Sequence, residues 1–164
     1  MNLLETRRSI RKYTEQKLTD EQIEKLLRAA MSAPSGRNVR PWHFVVLSDR
    51  KVLDGIPVFA PNTAPLKGAP AAVVVCGDLN KDVGLWVQDC SCATQNLLLA
   101  AHSMGLGGVW LNIYPNEEKM AKMREHLGMP EHIAPFCVVA VGYPAEERPQ
   151  IDRYNPELVH YDRW

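Results

Sequence analysis

The hydrophobic positions of the chain predict one long buried helix in its middle. Between residues 82 and 108, apolar or small side chains occupy nearly every face of the predicted helix, and a glycine cluster ends the stretch. We expect one helix of about 23 residues, roughly 34 Å long. Its longest uninterrupted apolar run, 97–101, is far shorter than the ~20 residues that cross a bilayer, so no membrane span is expected. A helix this apolar on all faces needs more cover than so short a chain supplies, which predicts a dimer.

Shorter patterns predict the elements around this helix. A capping box at 19–22 begins a helix that runs to about Ala33, and Asn116 begins another that runs to about Leu127. Apolar runs predict strands at 42–48, 71–77, 109–114 and 136–141. Three prolines within residues 51–67 predict an irregular surface flap with at most one turn of helix.

Composition limits the classes of function. Nineteen basic and nineteen acidic residues give no net charge, so a role in binding nucleic acid is not expected. The chain has no repeat, low-complexity tract or linker, and we expect one domain over residues 1–164. No apolar export segment follows Arg7 and Arg8, so a cytoplasmic protein is expected. The four cysteines are expected to be reduced and buried; they lack the spacing of a zinc site, and no metal is expected.

Two polar segments are candidates for function. Residues 7–12 hold four cations and a serine with no acid among them, a composition that suits an anion site but also a solvated basic face. Residues 34–41 form a polar loop between a predicted helix and a predicted strand, a position typical of functional loops and of ordinary connectors. Spacing alone leaves both alternatives open for each segment.

The glycine cluster and the tail add two expectations. Gly105, Gly107 and Gly108 follow a helix and precede a strand, the reverse of the order in a dinucleotide-binding fingerprint. We expect them to end the helix and to let the backbone approach a flat ligand. The tail, residues 153–164, carries three aromatic side chains and is expected to dock on its own subunit or on a partner.

Five segments together resemble those of flavin-dependent nitroreductases in order and spacing. They are RRSIRKY at 7–13, APSGRNVRPWHF at 33–44, QNLLLAAHSMGLGGVW at 95–110, VGYP at 141–144 and RYNPELVHYDRW at 153–164. The resemblance implies an α+β, nitroreductase-like fold with a central mixed or antiparallel sheet flanked by helices. It also implies a homodimer in which the long helix lies at the interface, the C-terminal segment extends to the partner subunit, and FMN lies between the subunits.

The resemblance assigns cofactor contacts to particular positions. They are Arg7, Arg8, Ser9, Arg11, Pro34, Ser35, Asn38, Asn62, Leu111, Asn112, Ile113 and Arg153. The basic segment and Arg153 would hold the FMN phosphate, and the basic segment also the ribityl chain or the pyrimidine edge, while the residues at 34–38 would come from the other subunit. Asn62 would lie near the polar edge of the ring, and the backbone N–H of Asn112 would lie by flavin N5. Arg40 departs from a glutamine that is common in the family.

A second departure concerns the tail, where a Lys-x-Arg sequence is common in the family. Here the corresponding residues are Ile151, Asp152 and Arg153, so the expected phosphate clamp is weaker by one charge.

The activity that the resemblance implies is a ping-pong hydride transfer. NADH or NADPH would reduce the flavin at N5, leave, and be replaced by a small-molecule acceptor such as a nitroaromatic or a quinone. No catalytic side chain is expected, because the backbone donor and nearby cations stabilise the reduced flavin. The alternatives are flavin fragmentation or reductive dehalogenation on the same fold, and a carrier or sensor that binds flavin without turnover.

Overall fold

The secondary structure follows from local signals that the chain carries at the ends of its elements. A computed structural model describes residues 3–81 and 83–164. The helices in these ranges are α1 (Leu3–Thr6), α2 (Asp20–Met31), α3 (Arg50–Phe59), α4 (Trp86–Ser103) and α5 (Glu117–Leu127). The strands are β1 (Trp42–Leu47), β2 (Ala71–Asp78), β3 (Gly107–Asn112) and β4 (Ile133–Gly142). Short 3-10 segments lie at Gly36–Asn38, Pro61–Gly68 and Pro156–Leu158.

The four strands form one antiparallel sheet in the order β1-β2-β4-β3. Every residue of β2 and β4 is buried, which explains why these central strands read as continuous apolar runs. Val73 and Val75 share a core with α2 and α4, whereas Val74 shares the core on the opposite face with α3 and α5. The predicted α+β fold, with a central sheet flanked by helices, is confirmed.

Both predicted helix caps are confirmed. The Thr19 side chain accepts the N–H of Gln22 at 3.2 Å, and the Gln22 side chain accepts the N–H of Thr19 at 3.0 Å. At α5, the Asn116 side chain accepts the N–H of Lys119 at 2.9 Å. These reciprocal bonds satisfy N–H groups that a helix leaves without partners at its start.

The long helix, α4, is shorter than predicted. It has 18 residues, about 27 Å, because Gly84 with φ 84° precedes its first turn and Gly105 with φ 73° follows its end. Asp82, the predicted start, lies outside the described residues. Within this single chain the helix is buried towards the sheet, but Leu99 and Ala100 on another face are only partly buried. In the described ranges, no helix combines the length and apolar character needed to cross a membrane.

The prediction of an irregular flap at 51–67 is wrong. The side chain of Asp49 caps α3 by accepting the N–H of Lys51 at 2.8 Å, and the helix continues through Pro57. A proline removes one backbone hydrogen bond, but here Leu53 and Ile56 are completely buried, and this burial stabilises the helix. The prolines therefore shape two packed segments, α3 and the 3-10 segment after it.

The prediction of buried, reduced thiols holds for three of the four cysteines. Cys76, Cys90 and Cys137 are free and buried, and burial raises the pKa of the Cys76 thiol to about 12. Cys92 is exposed on α4, so the prediction is wrong at that position. Residues two apart on a helix point in different directions, and only Cys90 faces the sheet.

Candidate functional site

The basic segment after α1 lies along the open edge of β3. Ser9 forms a parallel bridge with Gly108, and the N–H of Ile10 donates to the Gly108 carbonyl at 3.0 Å. Side chains of an extended segment alternate between its two sides, so Arg7, Ser9 and Arg11 share one side and Ile10 is buried on the other. The alternation places two cations and a hydroxyl on one surface.

Arg7 has an unpartnered buried donor. Its Nε atom is buried without a hydrogen-bond partner in the part of the chain that the structure describes. Burial, followed by the positive charges of Arg153 and Arg8, lowers the pKa of the Arg7 guanidinium. Crowded cations with an unused buried N–H fit an anion that has several oxygen atoms. The fold thus brings Arg7 and Arg153 together from opposite ends of the chain.

Arg8 is occupied by backbone carbonyl groups. Its guanidinium donates to the carbonyl oxygens of Glu5, Arg7, Pro149 and Ile151 at 2.7, 2.7, 2.8 and 3.4 Å. The bonds to Pro149 and Ile151 hold the residues just before the tail against the N-terminal segment, and so place Arg153 near Arg7. A cofactor contact by Arg8 stays a prediction, and the structure gives this residue a second role in ordering residues 149–151.

Replacing Arg8 by alanine should loosen the segment around residues 149–151. Since the freed carbonyl groups can reach water, we expect a loss of only about 1 kcal/mol in the free energy of unfolding, together with faster amide exchange in this segment. Hydrogen exchange followed by mass spectrometry measures the local effect. Arg28→Ala is the matched control, because the exposed Arg28 side chain pairs with Glu24 on the surface of α2. Unchanged exchange at 149–151 would contradict the ordering role.

At the other end of β3, the side chain of Asn62 is hydrogen-bonded to the backbone of Asn112. The N–H of Ile113 donates towards β4, to the Phe136 carbonyl at 3.2 Å, so the backbone groups of the preceding residue point to the open edge of the sheet. The Asn112 carbonyl there accepts Asn62 Nδ2 at 2.8 Å, and Asn62 Oδ1 accepts Lys119 Nζ at 2.7 Å.

The side chains on either side of Asn112 fix the end of this strand. Leu111 and Ile113 are buried in the core that contains α3 and α5. Sequence reasoning named Asn62 and Asn112 but missed Lys119, whose only signal was a cation in the first turn of a helix, where acids are favoured.

The open edge of β3 therefore has two different ends. The Gly108 carbonyl is paired with the basic segment, and the Asn112 carbonyl is paired with Asn62. Four residues of strand separate these points, about 13 Å. An elongated ligand with an anionic end and a polar end matches this arrangement.

The loop of residues 34–41 is held in an unusual backbone shape. Arg37, Asn38 and Arg40 have φ values of 51°, 57° and 51°, which non-glycine residues rarely adopt. The Ser35 hydroxyl accepts the N–H of Arg40 at 2.9 Å, and the buried Asp89 carboxylate accepts the N–H of Gly36 at 2.9 Å. Strained residues cluster at functional sites, so this geometry favours a functional loop over an ordinary connector.

Within one chain, the loop of residues 34–41 lies far from the basic segment. The loop is bonded to Asp89 near the start of α4, whereas Thr6 Oγ1 is hydrogen-bonded to His102 Nε2 at 2.8 Å near its end. About 20 Å of helix separates these two points. The predicted contacts at Pro34, Ser35 and Asn38 therefore lie far from Arg7 within a single copy.

The glycine cluster makes room for protein side chains. A Cβ on Gly107 would lie 2.7 Å from the Ile10 Cβ, and one on Gly108 would lie 3.0 Å from Leu98 Cδ2. The prediction that these two glycines admit a flat ligand is therefore wrong. Only the predicted helix-ending role holds, at Gly105.

The tail does not dock on its own subunit. All residues from 151 to 164 are exposed, and Leu158, Tyr161 and Trp164 are 76%, 83% and 101% exposed. Large apolar side chains in this state indicate a surface that another molecule covers. Docking of the tail on a partner stays a prediction.

Comparisons with known proteins identify the family. The model of the Nitroreductase family matches residues 4–86 and 62–143. A protein of Methanothermobacter thermautotrophicus, provisionally named NADH dehydrogenase/NAD(P)H nitroreductase, is 47% identical over 166 residues, which cover 100% of this chain and 87% of that protein.

Two solved structures share the fold. A protein of Desulfovibrio desulfuricans, provisionally described as a nitroreductase and solved in complex with FMN, is 30% identical with a TM-score of 0.87, and the match covers 99% of this chain and 95% of that one. The NADPH:FMN oxidoreductase of Vibrio harveyi, solved with NAD+, is 30% identical with a TM-score of 0.85, and the match covers 99% of this chain and 76% of that one. This chain belongs to the nitroreductase family.

Proposed function

We propose that this protein is an FMN-dependent oxidoreductase of the nitroreductase type, which takes electrons from NADH or NADPH and passes them to a small acceptor such as a nitroaromatic or a quinone. The observation that carries the proposal is the buried, unpartnered Nε of Arg7 beside the charge of Arg153. Membership of the family and the FMN complex of a relative support the choice of ligand. Reduced nicotinamide is available in the cytoplasm, where we place the protein.

The residues along the edge of β3 fit FMN. Arg7, Ser9 and Arg153 would hold the phosphate, because guanidinium groups and a hydroxyl donate to its oxygen atoms. Arg11 is exposed on the same side and would contact the ribityl chain or the pyrimidine edge. Asn62 and the backbone of residues 111–113 would contact the polar part of the ring.

We infer a homodimer with FMN at its interface, each subunit forming one domain over residues 1–164. The loop residues Pro34, Ser35 and Asn38 reach the same FMN as Arg7 only if they come from a second copy, since α4 separates them within one chain. An apolar groove of about 320 Å³ supports this assembly; Ala29, Asn96, Leu99 and Ala100 are among the residues that line it. The exposed tail is the second surface that a partner would cover.

The residues around the ring have a supporting role in the chemistry. FMN, when bound, supplies two-electron transfer at N5, so no protein acid or base is assigned and nicotinamide and acceptor use the site in turn. The N–H of Asn112 points to the open edge of β3, where it would donate to the ring. Where Arg11 reaches the pyrimidine edge, its charge would stabilise negative charge on that edge.

Purified protein tests the proposal directly. We expect a yellow protein that releases FMN, and no FAD, on acid treatment, because the site has one anion-binding end and no dinucleotide fingerprint. Oxidation of NADH or NADPH should speed up when a quinone or a nitroaromatic is added, with initial rates that show a ping-pong pattern. A protein that neither contains nor binds FMN would contradict the proposal, and FMN binding without turnover would identify a carrier or sensor.

A further inference from the structure

We propose that Lys119 is a positioning residue that acts through Asn62 to set the reduction potential of the bound flavin. The inference rests on the proposed function. Its observation is the hydrogen-bonded chain from Lys119 Nζ to Asn62 Oδ1, at 2.7 Å, and from Asn62 Nδ2 to the carbonyl of Asn112, at 2.8 Å. This chain crosses from α5 to the edge of β3.

Lys119 fixes which way the Asn62 amide points. An ammonium group only donates, so it requires the amide oxygen, while the Asn112 carbonyl only accepts and requires the amide nitrogen. Both ends of the amide are therefore assigned by their partners. The second N–H of Asn62 has no partner in residues 3–81 and 83–164, and this donor is left for an acceptor on a ligand.

The charge of Lys119 is not neutralised by a carboxylate. Lys122, one turn later on α5, pairs with Glu118 at 2.6 Å, whereas Lys119 has only the amide oxygen of Asn62 as a partner in the described part of the chain. A cation at the end of a hydrogen-bonded chain polarises the next donor in that chain. The free N–H of Asn62 is thereby made a better donor to an acceptor that gains negative charge.

The position of Lys119 in the helix has no local explanation. It is the third residue of α5, where the helix dipole favours acids, and Glu117 and Glu118 precede it in agreement with that rule. Residues that break a local rule are commonly retained for function. The contact with Asn62 supplies such a reason.

The expected effect is a preference for the reduced cofactor. Two-electron reduction adds negative charge to the polar edge of the ring, so a nearby cation stabilises reduced FMN more than oxidised FMN. Lys119→Met should weaken binding of reduced FMN about tenfold more than binding of oxidised FMN. For a two-electron couple a tenfold difference lowers the potential by about 30 mV.

Three variants separate charge, hydrogen bond and position. Lys119→Arg keeps the charge and a hydrogen-bond donor, and its bound flavin should have the reduction potential of the wild type. Lys119→Gln keeps a hydrogen-bond donor but not the charge, and its flavin should have the same lowered reduction potential as that of Lys119→Met. Lys122→Met removes the same charge from the same helix without touching Asn62, and is the matched control. The potential is measured by equilibration with a reference dye, and the affinity for oxidised FMN by fluorescence titration.

The outcomes distinguish this inference from the function on which it rests. Wild-type protein that binds FMN, with a lower potential in Lys119→Met and Lys119→Gln only, supports the inference. An unchanged potential in flavin-loaded Lys119→Met, or an equal shift in Lys122→Met, overturns the role of Lys119 and leaves the proposed function intact. Failure of the wild type to bind FMN overturns both.

Discussion

Replacing Arg7 by alanine is expected to weaken FMN binding by about 1.5 to 3 kcal/mol, the range for a hydrogen bond to a charged group. This corresponds to roughly a ten- to hundredfold increase in Kd. The expectation depends on the Nε atom of Arg7, which is buried and has no partner among the described residues although it is a strong donor. A phosphate oxygen would provide that partner. Fluorescence titration of the apoprotein with FMN measures the change.

The same substitution should not destabilise the apoprotein. In the absence of an anion, Arg7 buries an unsatisfied donor and repels Arg153 and Arg8, and both effects lower the pKa of its guanidinium. Arg7→Ala removes both the unsatisfied donor and the repulsion. The free energy of unfolding of this variant should therefore be equal to or higher than that of the wild type. Weaker FMN binding together with unchanged or higher stability is expected for a residue that weakens the folded state but binds a ligand. A residue with a purely structural role would show the opposite.

Arg28→Ala is the control for the loss of an arginine. Arg28 is exposed and pairs with Glu24 within one turn of α2. Such pairs contribute little, so we expect a change of at most about 0.5 kcal/mol in stability and no change in FMN affinity. If Arg7→Ala binds FMN as the wild type does, the basic segment is a solvated surface and not an anion site.

Local signals in the sequence predicted those elements whose causes are local. The capping box at Thr19 and the cap at Asn116 each involve groups three residues apart, and the structure has both. The central strands were predicted because β2 and β4 are buried on both faces and therefore contain long, continuous apolar runs. In these cases the residues that decide the structure lie within one short window.

The structure departs from the prediction at 51–67 because the burial of apolar side chains on α3 outweighs the helix-breaking effect of the prolines. Leu53, Ile56 and Pro57 have the spacing of one helix face, and Asp49 is a good N-cap residue. These signals were present in the sequence. Tertiary packing overrode the helix-breaking tendency of Pro57, which a reading of propensities alone does not weigh.

Composition indicated two candidate segments, and resemblance assigned roles to single residues within them, but neither predicts the contacts between distant residues. Burial of Arg7, its approach to Arg153 and the chain from Lys119 to Asn112 all join residues that are distant in sequence. No periodic pattern encodes such contacts. The structure adds the specific reason for each placement, such as the backbone carbonyls that occupy Arg8.

Deleting residues 156–164 while keeping Arg153 should weaken both the dimer and the binding of flavin. Leu158, Tyr161 and Trp164 are each more than three-quarters exposed in the single chain. Burying each of them against a partner would contribute about 1.5 to 3 kcal/mol before the entropy of ordering the tail is subtracted. A net loss of about 3 kcal/mol raises the dimer Kd by more than a hundredfold.

Sedimentation of the wild type and the truncated chain over a dilution series measures the first effect, and FMN content of the same samples measures the second. Val58→Ser is the matched control, because Val58 on α3 is 83% exposed but lies outside the proposed interface. It should leave both quantities unchanged. If the truncated chain stays dimeric at the lowest concentrations and retains full flavin, the tail has no role in the interface.

A mixing experiment tests whether each flavin site is shared between two chains. Asn38→Gly removes the loop side chain and keeps a residue that accepts a φ of 57° without strain. Arg7→Ala removes the basic contact. In a mixed dimer with a shared site, both defects fall on one site and the other site is intact. Random reassociation of equal amounts makes about half of the dimers mixed, so mixing two weak binders should restore tight binding at about a quarter of all sites. A dimer whose sites each belong to one chain would show no restoration, because every site would retain one defect. Titration of FMN into the separate and the mixed apoproteins therefore distinguishes the two arrangements without any measurement of turnover.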